Sequence, residues 1–256
     1  MDEREFIIQN RNNNPLNAVW YFDTQPQMDR RPLVLMAHGF TGDKFEWGRF
    51  PKAAERFVRA SFDVLIFDFT GSGMNKRERI TLTRQIMDLE DVARHMTNQG
   101  YRAIFPVGLS FGGLTLLCSE IPNCRAAVFW APGFRMKQIL GKLRYLIVRF
   151  LFLFKKSPLS LEAEKEPILI NDAFFKSVFR VDVDHFLKSF TTPALIIQGI
   201  EDDIVKPQSI REAFQLMPQD DDHMLIEVEG ATHEFDGVYL EMFIQHTLDF
   251  IQKYTF

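Results

Sequence analysis

Cysteine is scarce in this 256-residue chain: Cys118 and Cys124 are the only two. Two cysteines cannot build a disulfide framework, and reduced thiols in a cytoplasmic setting are the expectation. Positive charge is not in excess, with 30 Lys+Arg against 34 Asp+Glu and a formal net charge of −4. That balance gives no long-range attraction to nucleic acid, which is not expected as a partner. No apolar run reaches the roughly 18 uninterrupted residues that a membrane span needs. The opening "MDEREFIIQNR" carries acidic residues and no apolar h-region, so it does not read as a secretory signal. A G-x-x-x-x-G-K-[ST] phosphate loop is missing, as is a G-x-G-x-x-G fingerprint. The six histidines are scattered without metal-ligand spacing. Neither a metal nor a cofactor is therefore expected.

What is plentiful is phenylalanine, with 26 copies. Large aromatic side chains fill cores and also line pockets for apolar ligands. The apolar share of 46% and charged share of 25% suit a soluble, well-cored protein. Around the turn cluster "NRNNNP", two alternating apolar stretches predict a β-hairpin. Continuous apolar runs follow at "PLVLMAHGF", "DVLIFDF", "RAIFPVGLS", "RAAVFWAPG", "PALIIQG" and "HMLIEVEG". Such runs are expected of strands buried on both faces.

Between them lie segments with apolar residues at helical spacing. These are "FPKAAERFVRAS", "TLTRQIMDLEDVARHMTNQG", "GGLTLLCSE" (helical as far as Pro122) and "VYLEMFIQHTLDFIQKY". Strands alternating with helices imply βαβ units, and so a mainly parallel sheet with helices on both faces. About sixty residues break this rhythm between Gly133 and Pro193. A gap of that length inside a compact domain suggests a functional element such as a lid.

In α/β sheets, ligands bind beyond the carboxyl ends of the strands, so motifs there carry the most information. Ser110 stands there, within Gly108-Leu109-Ser110-Phe111-Gly112. A strand that turns abruptly into a helix crowds the neighbours of its apex residue, so small residues are needed two positions to either side. The helix that follows aims free N–H groups at the site and favours an oxyanion. A nucleophilic serine needs a base. Of the histidines, only His38 and His233 fall at strand carboxyl ends. His38 precedes Gly39, where backbone shape dominates, and reads as a structural hydrogen-bonding residue. His233, in the loop after the last strand, is the expected base.

The base needs a carboxylate to fix its tautomer. "QGIEDDIVKP" offers Glu201, Asp202 and Asp203. The order Ser, acid, His satisfies the chain order of a strand-borne triad. Two backbone amides, those of Phe111 and of Phe40 in "HGFTG", are placed by position to form an oxyanion hole.

With these pieces in hand, the chain resembles the α/β-hydrolase superfamily over essentially its whole length. "HGFTG", "DFTGSG", "GLSFGG", "GIEDDIVKP" and "GATHEF" follow the order and spacing of that superfamily. More narrowly, "HGFTGDKFEWGRF" followed by "DFTGSG" is similar to the bacterial feruloyl/cinnamoyl esterase branch, close to monoacylglycerol-lipase-like serine hydrolases. The resemblance implies an α/β-hydrolase fold as one domain over 1–256, with a helical lid insertion at about 134–190. Its G-x-x-D-x-x-V pattern, counted from Gly199 to Val205, selects Asp202 over Asp203 as the acid. Where many members of that branch carry a Ser-Asp-Gly sequence after the glycine turn, this chain has "MNKRERITL".

The expected activity is that of a serine carboxylesterase, cleaving a small-molecule ester with an apolar acyl or aryl group through an acyl-enzyme on Ser110. A thioesterase or acylglycerol lipase would use the same triad, and nothing in the motifs separates them. A non-catalytic binding protein of the same fold would have no need of Ser110, Asp202 and His233 together. In the insertion, Ile139, Leu140, Leu143, Leu146, Ile147, Phe150, Leu151 and Phe154 form one apolar helical stripe. Lys137, Lys142, Arg144, Arg149, Lys155 and Lys156 interrupt or flank it. The stripe suits a lid face packed on the core, a wall of an acyl pocket, or an interfacial helix on a membrane surface, the last disfavoured by the net negative charge. It would serve a homodimer contact equally, so oligomeric state stays open.

Overall fold

The architecture was read from a computed structural model, which describes residues 1–24, 31–141, 159–161 and 168–255. Strands β1 (Asp2–Gln9) and β2 (Pro15–Phe22) form the expected antiparallel hairpin. Asn10 builds its turn, the side-chain oxygen accepting from the amides of Asn12 and Asn14 at 2.9 Å each. This is the local side chain-to-backbone bonding that favours asparagine in turns.

The apolar runs become β3 (Leu33–Ala37), β4 (Asp63–Phe67), β5 (Ile104–Leu109), β6 (Ala127–Trp130), β9 (Ala194–Gly199) and β10 (His223–Val228). Together with the hairpin they make one eight-stranded sheet in the order β1-β2-β4-β3-β5-β6-β9-β10. The pairs β1–β2 and β2–β4 are antiparallel, and the five remaining neighbouring pairs are parallel.

Alternate residues of one strand serve opposite cores, as the two-residue period of a strand requires. In β3, Leu33 and Leu35 face one apolar layer, whereas Val34 and Met36 face the other. Helix α2 (Leu82–Asn98) covers the first layer with Leu89, Val92 and Ala93. Thr81 starts that helix by accepting from the Arg84 amide, and the chain leaves it at Gly100, where φ is +96°. Helices α1 (Arg49–Arg59) and α8 (Val238–Ile251) cover the second layer with Phe50, Phe57, Phe243 and Ile244. Full burial of each such side chain is worth about 1.5–3 kcal/mol. The chain runs from β3 through α1 to β4 on one side, then returns through α2 to β5 on the other. That reversal opens a crevice at the carboxyl ends of β3 and β5.

Helix α3 (Phe111–Leu117) is shorter than the segment reaching Pro122 that its periodicity suggests. Proline at 122 disfavours helical geometry in the residue before it, and Ser119 turns its hydroxyl back to the Thr115 carbonyl at 2.7 Å. The long segment after β6 contains α4 (Met136–Leu140), α5 (Asp172–Arg180) and α6 (Val183–Ser189). It also contains a short antiparallel pair, β7 (Leu159–Leu161) with β8 (Ile168–Ile170), where only helical and irregular character was expected. Three-residue strands leave too few alternations to be read from periodicity. Of the apolar stripe, Ile139 packs against the core. The stripe from Leu143 to Phe154, with Lys142 to Lys156 around it, lies outside the described residues. After β9 comes α7 (Pro207–Phe214), started by proline at its first position. Among the described residues, no helix is long and apolar enough to cross a membrane.

Candidate active site

Ser110 sits between β5 and α3 with φ +51° and ψ −113°, a left-handed conformation that a residue with a Cβ seldom adopts. Its neighbours hold it there. The Ser110 amide donates to the Trp130 carbonyl at 2.9 Å, and its own carbonyl accepts from Gly113 (3.0 Å) and Gly133 (2.7 Å). The flanking glycines are sterically required. A Cβ on Gly108 would stand 2.7 Å from the Gly112 carbonyl oxygen, and one on Gly112 would stand 2.6 Å from that of His38. The apex of the turn is thereby pressed against β3.

His233 arrives from the loop between β10 and α8. Its Nε2 lies 3.2 Å from Ser110 Oγ and its Nδ1 lies 2.7 Å from Asp202 Oδ2. An ionised carboxylate only accepts, so the proton between His233 and Asp202 belongs to Nδ1. Nε2 is left to accept from the serine hydroxyl. Asp202 is 2% exposed, whereas Glu201 and Asp203 are exposed. The buried carboxylate is fully engaged. Oδ1 accepts from the amides of Ile204 (2.9 Å) and Val205 (2.7 Å), and Oδ2 also accepts from Gln198 Nε2 (3.0 Å).

The Phe111 amide, first in its helix, has no intrahelical acceptor. The Phe40 amide is oriented by His38. Phe69 N–H donates to His38 Nε2 at 3.2 Å, so Nδ1 carries the proton and donates to the Gly39 carbonyl at 2.8 Å. In a trans peptide the carbonyl and the next N–H point in opposite directions. The Phe40 N–H is therefore turned away from His38. Burial holds the His38 imidazole neutral, with its pKa below the ordinary histidine value. His38 is thus a structural hydrogen-bonding residue, as its position before Gly39 suggested.

A cavity of about 290 Å³ lies over these groups, and Ser110, His233, Phe40, Trp47, Met136 and Ile204 are among its walls. From the long insertion, Phe174 on α5 stacks on Phe40 at 4.8 Å and lies 5.7 Å from Phe111, ring centre to ring centre. Burial pushes the Cys118 and Cys124 thiols up to about 12, so neither offers a competing nucleophile near neutral pH. Among the described residues, no group of three or more His, Cys, Asp or Glu side chains is placed to hold a metal ion.

Several site residues escaped the sequence reading. Gln198 had a signal, being one polar residue inside the apolar run of β9. Glu46 and Arg49, both buried beside the serine, carried no more than an i,i+3 charge spacing that ordinarily marks a solvated helix face.

A family model described as "Alpha/beta hydrolase family" matches residues 34–242. The chain belongs to that family. The fold and the superfamily resemblance seen in the motifs are thereby established. Among curated proteins none matches. Among solved structures, Est1E from Butyrivibrio proteoclasticus with ferulic acid bound is 19% identical, with a TM-score of 0.75, covering 97% of this chain and 98% of that one. The alpha/beta hydrolase GrgF from Penicillium sp. sh18 is 19% identical, with a TM-score of 0.78, covering 100% and 99%. A monoacylglycerol lipase from Paleococcus ferrophilus is 18% identical, with a TM-score of 0.71, covering 92% and 99%. At these identities the likeness establishes the shared fold.

Proposed function

We propose that the protein is a serine carboxylesterase that cleaves a small-molecule ester with an apolar acyl or aryl group. The observation that carries this is the hydrogen-bonded line from Ser110 Oγ through His233 to Asp202, at 3.2 and 2.7 Å. Ser110 Oγ attacks the ester carbonyl as His233 Nε2 takes its proton, and Asp202 stabilises the imidazolium that forms. The amides of Phe40 and Phe111 receive the oxyanion of the tetrahedral intermediate. His233 then gives its proton to the departing alcohol, leaving an acyl group on Ser110. Water, deprotonated by the same His233, attacks the acyl-enzyme and restores the serine.

The apolar walls of the cavity support an apolar acyl or aryl group, and its volume suits a small one. On a single α/β domain, the described residues between about 134 and 190 act as a cap. Met136 and Ile139 supply part of the cavity wall, and Phe174 braces both proposed oxyanion residues. The Est1E structure with ferulic acid is consistent with an aryl acyl group. An acylglycerol lipase is the second reading, favoured by the fold shared with the Paleococcus ferrophilus lipase. A thioesterase would use the same attack.

The test is Ser110→Ala, measured with p-nitrophenyl acetate and a fluorophosphonate probe. Turnover and labelling should both vanish, and a variant that still labels fully refutes the assignment. A panel of hydroxycinnamate esters, medium-chain acyl esters, acylglycerols and acyl-CoA thioesters then ranks the substrate classes.

A further inference from the structure

Three consecutive residues near the site, Glu46, Trp47 and Gly48, have φ of +47°, +53° and +85°. Two of them carry side chains, and such backbone persists only where its surroundings over-determine it. What determines it is a buried ion pair. Glu46 is 1% exposed and Arg49 is 4% exposed, and Arg49 Nη2 donates to Glu46 Oε2 at 3.1 Å. Arg49 Nε also donates to the Glu46 carbonyl at 3.1 Å. The other carboxylate oxygen, Glu46 Oε1, accepts from the Gly39 amide. It occupies the space beside Gly42 that a side chain there would fill. Glu46 therefore holds the loop that carries the Phe40 amide.

The free edge of the same guanidinium reaches the other side of the site. Arg49 Nη1 donates to the Glu234 carbonyl and to Glu234 Oε2, both at 2.8 Å. Glu234 directly follows His233. The guanidinium also lies 5.3 Å from the ring centres of Trp47 and Phe235. Phe235 is itself anchored, stacked on Phe243 at 4.3 Å. A planar fork with fixed donor directions suits a bridge between two loops, where an ammonium would act as a point charge.

We infer that Glu46 and Arg49 are positioning residues that lock the Phe40 amide and His233 at one fixed separation. The inference rests on the proposed triad and oxyanion hole. A hydrolytic site needs this spacing because the base and the oxyanion donors act on the same tetrahedral centre from different loops. A displacement of about 1 Å in such a group costs about 10²-fold in rate. Ground-state binding depends far less on it.

The experiment compares wild-type protein with Arg49→Lys, Glu46→Gln and Glu234→Ala. It measures kcat and KM for p-nitrophenyl acetate, the inhibition constant of a trifluoromethyl ketone that mimics the tetrahedral state, and thermal unfolding. Arg49→Lys keeps the charge and loses the fork. It should lower kcat about 10²-fold with KM unchanged, and weaken the ketone by a matching factor. Glu234→Ala, which keeps the backbone acceptor, should show a smaller loss in the same direction. Glu46→Gln keeps an acceptor for Gly39 and drops the ion pair, so it carries the test should Arg49→Lys fail to fold.

A folded Arg49→Lys or Glu46→Gln with unchanged kcat and ketone affinity overturns the inference, and so does a loss confined to KM. Failure of the underlying reading has a different signature. Wild-type protein would then take no fluorophosphonate label at Ser110, and the inference would fall with it.

Discussion

Replacing Asp202 with asparagine is the sharpest test of the site, because the structure specifies why an isosteric amide cannot substitute. Oδ1 accepts from two backbone amides, so the asparagine carbonyl must take that position. Its NH2 group then faces His233 Nδ1 and the Gln198 amide nitrogen. Gln198 cannot rotate to accept it. Gln198 Nε2 also lies 3.1 Å from the carbonyl oxygens of Gly199 and Val205, and a flip would set oxygen against oxygen. With a donor at the former Oδ2 position, His233 Nδ1 must become the acceptor and Nε2 must carry the proton. That tautomer cannot take the Ser110 proton. The expected loss is about 10⁴-fold in kcat, or about 5.5 kcal/mol of barrier, with KM little changed. Steady-state hydrolysis of p-nitrophenyl acetate at pH 7.5 measures it. Asp203→Asn, at an exposed position, is the matched control. A loss under tenfold in Asp202→Asn, or an equal loss in Asp203→Asn, would refute the argument.

Three further outcomes follow from the packing. Gly112→Ala forces a Cβ onto the backbone carbonyls of Ala37 and His38, which have no rotamer to yield, and should cost about 1–3 kcal/mol in a urea titration. An unshifted midpoint would mean that the turn relaxes freely. Lys44→Met leaves the buried Asp68 carboxylate with backbone amide donors but no counter-charge, since Lys44 Nζ lies 2.7 Å from Asp68 Oδ2 with side chains 2% and 0% exposed. The same titration should show a loss of about 3–5 kcal/mol, against less than about 1 kcal/mol for Arg211→Met, whose pair with Glu227 is exposed.

His38 supplies a pH dependence. Its folded pKa lies below the unfolded value of 6.5, so the unfolded chain binds more protons between the two. Its contribution is complete above pH 6.5 and is lost as pH falls from there through the folded pKa. His38→Asn should flatten the fall in unfolding free energy between pH 7 and 5.5, and an unchanged slope would contradict it.

Much of this molecule is legible in its one-dimensional pattern. Apolar runs place the six parallel strands β3, β4, β5, β6, β9 and β10, because a strand buried on both faces carries few polar residues; β10, at the sheet edge, is only partly buried. Ser110 is marked by Gly108 and Gly112, since the steric demand of the turn falls on near neighbours in the chain. His233 is marked by following the last strand. The acid was narrower. Three carboxylates adjoin in "IEDDI", and only the resemblance to the α/β-hydrolase acid loop selected Asp202 among them. In the fold Asp202 turns inward under three donors besides His233, and its neighbours are left in solvent.

Other features have no local signature. The strands β7 and β8 are too short to show a period. Glu46 and Arg49 look in sequence like any charged pair at the start of a surface helix.

The sequence by itself therefore determined the class of fold and marked the residues proposed as nucleophile and base. These depend on sterics and burial, which act within a few residues and leave a pattern. Tertiary structure alone decided which charges are buried, how His38 turns the Phe40 amide, and which insertion residues wall the cavity. Those depend on distances between segments far apart in the chain. Arg49 holds Glu46 and reaches Glu234 across 185 positions of sequence, through hydrogen bonds that form only when the loops after β3 and β10 meet.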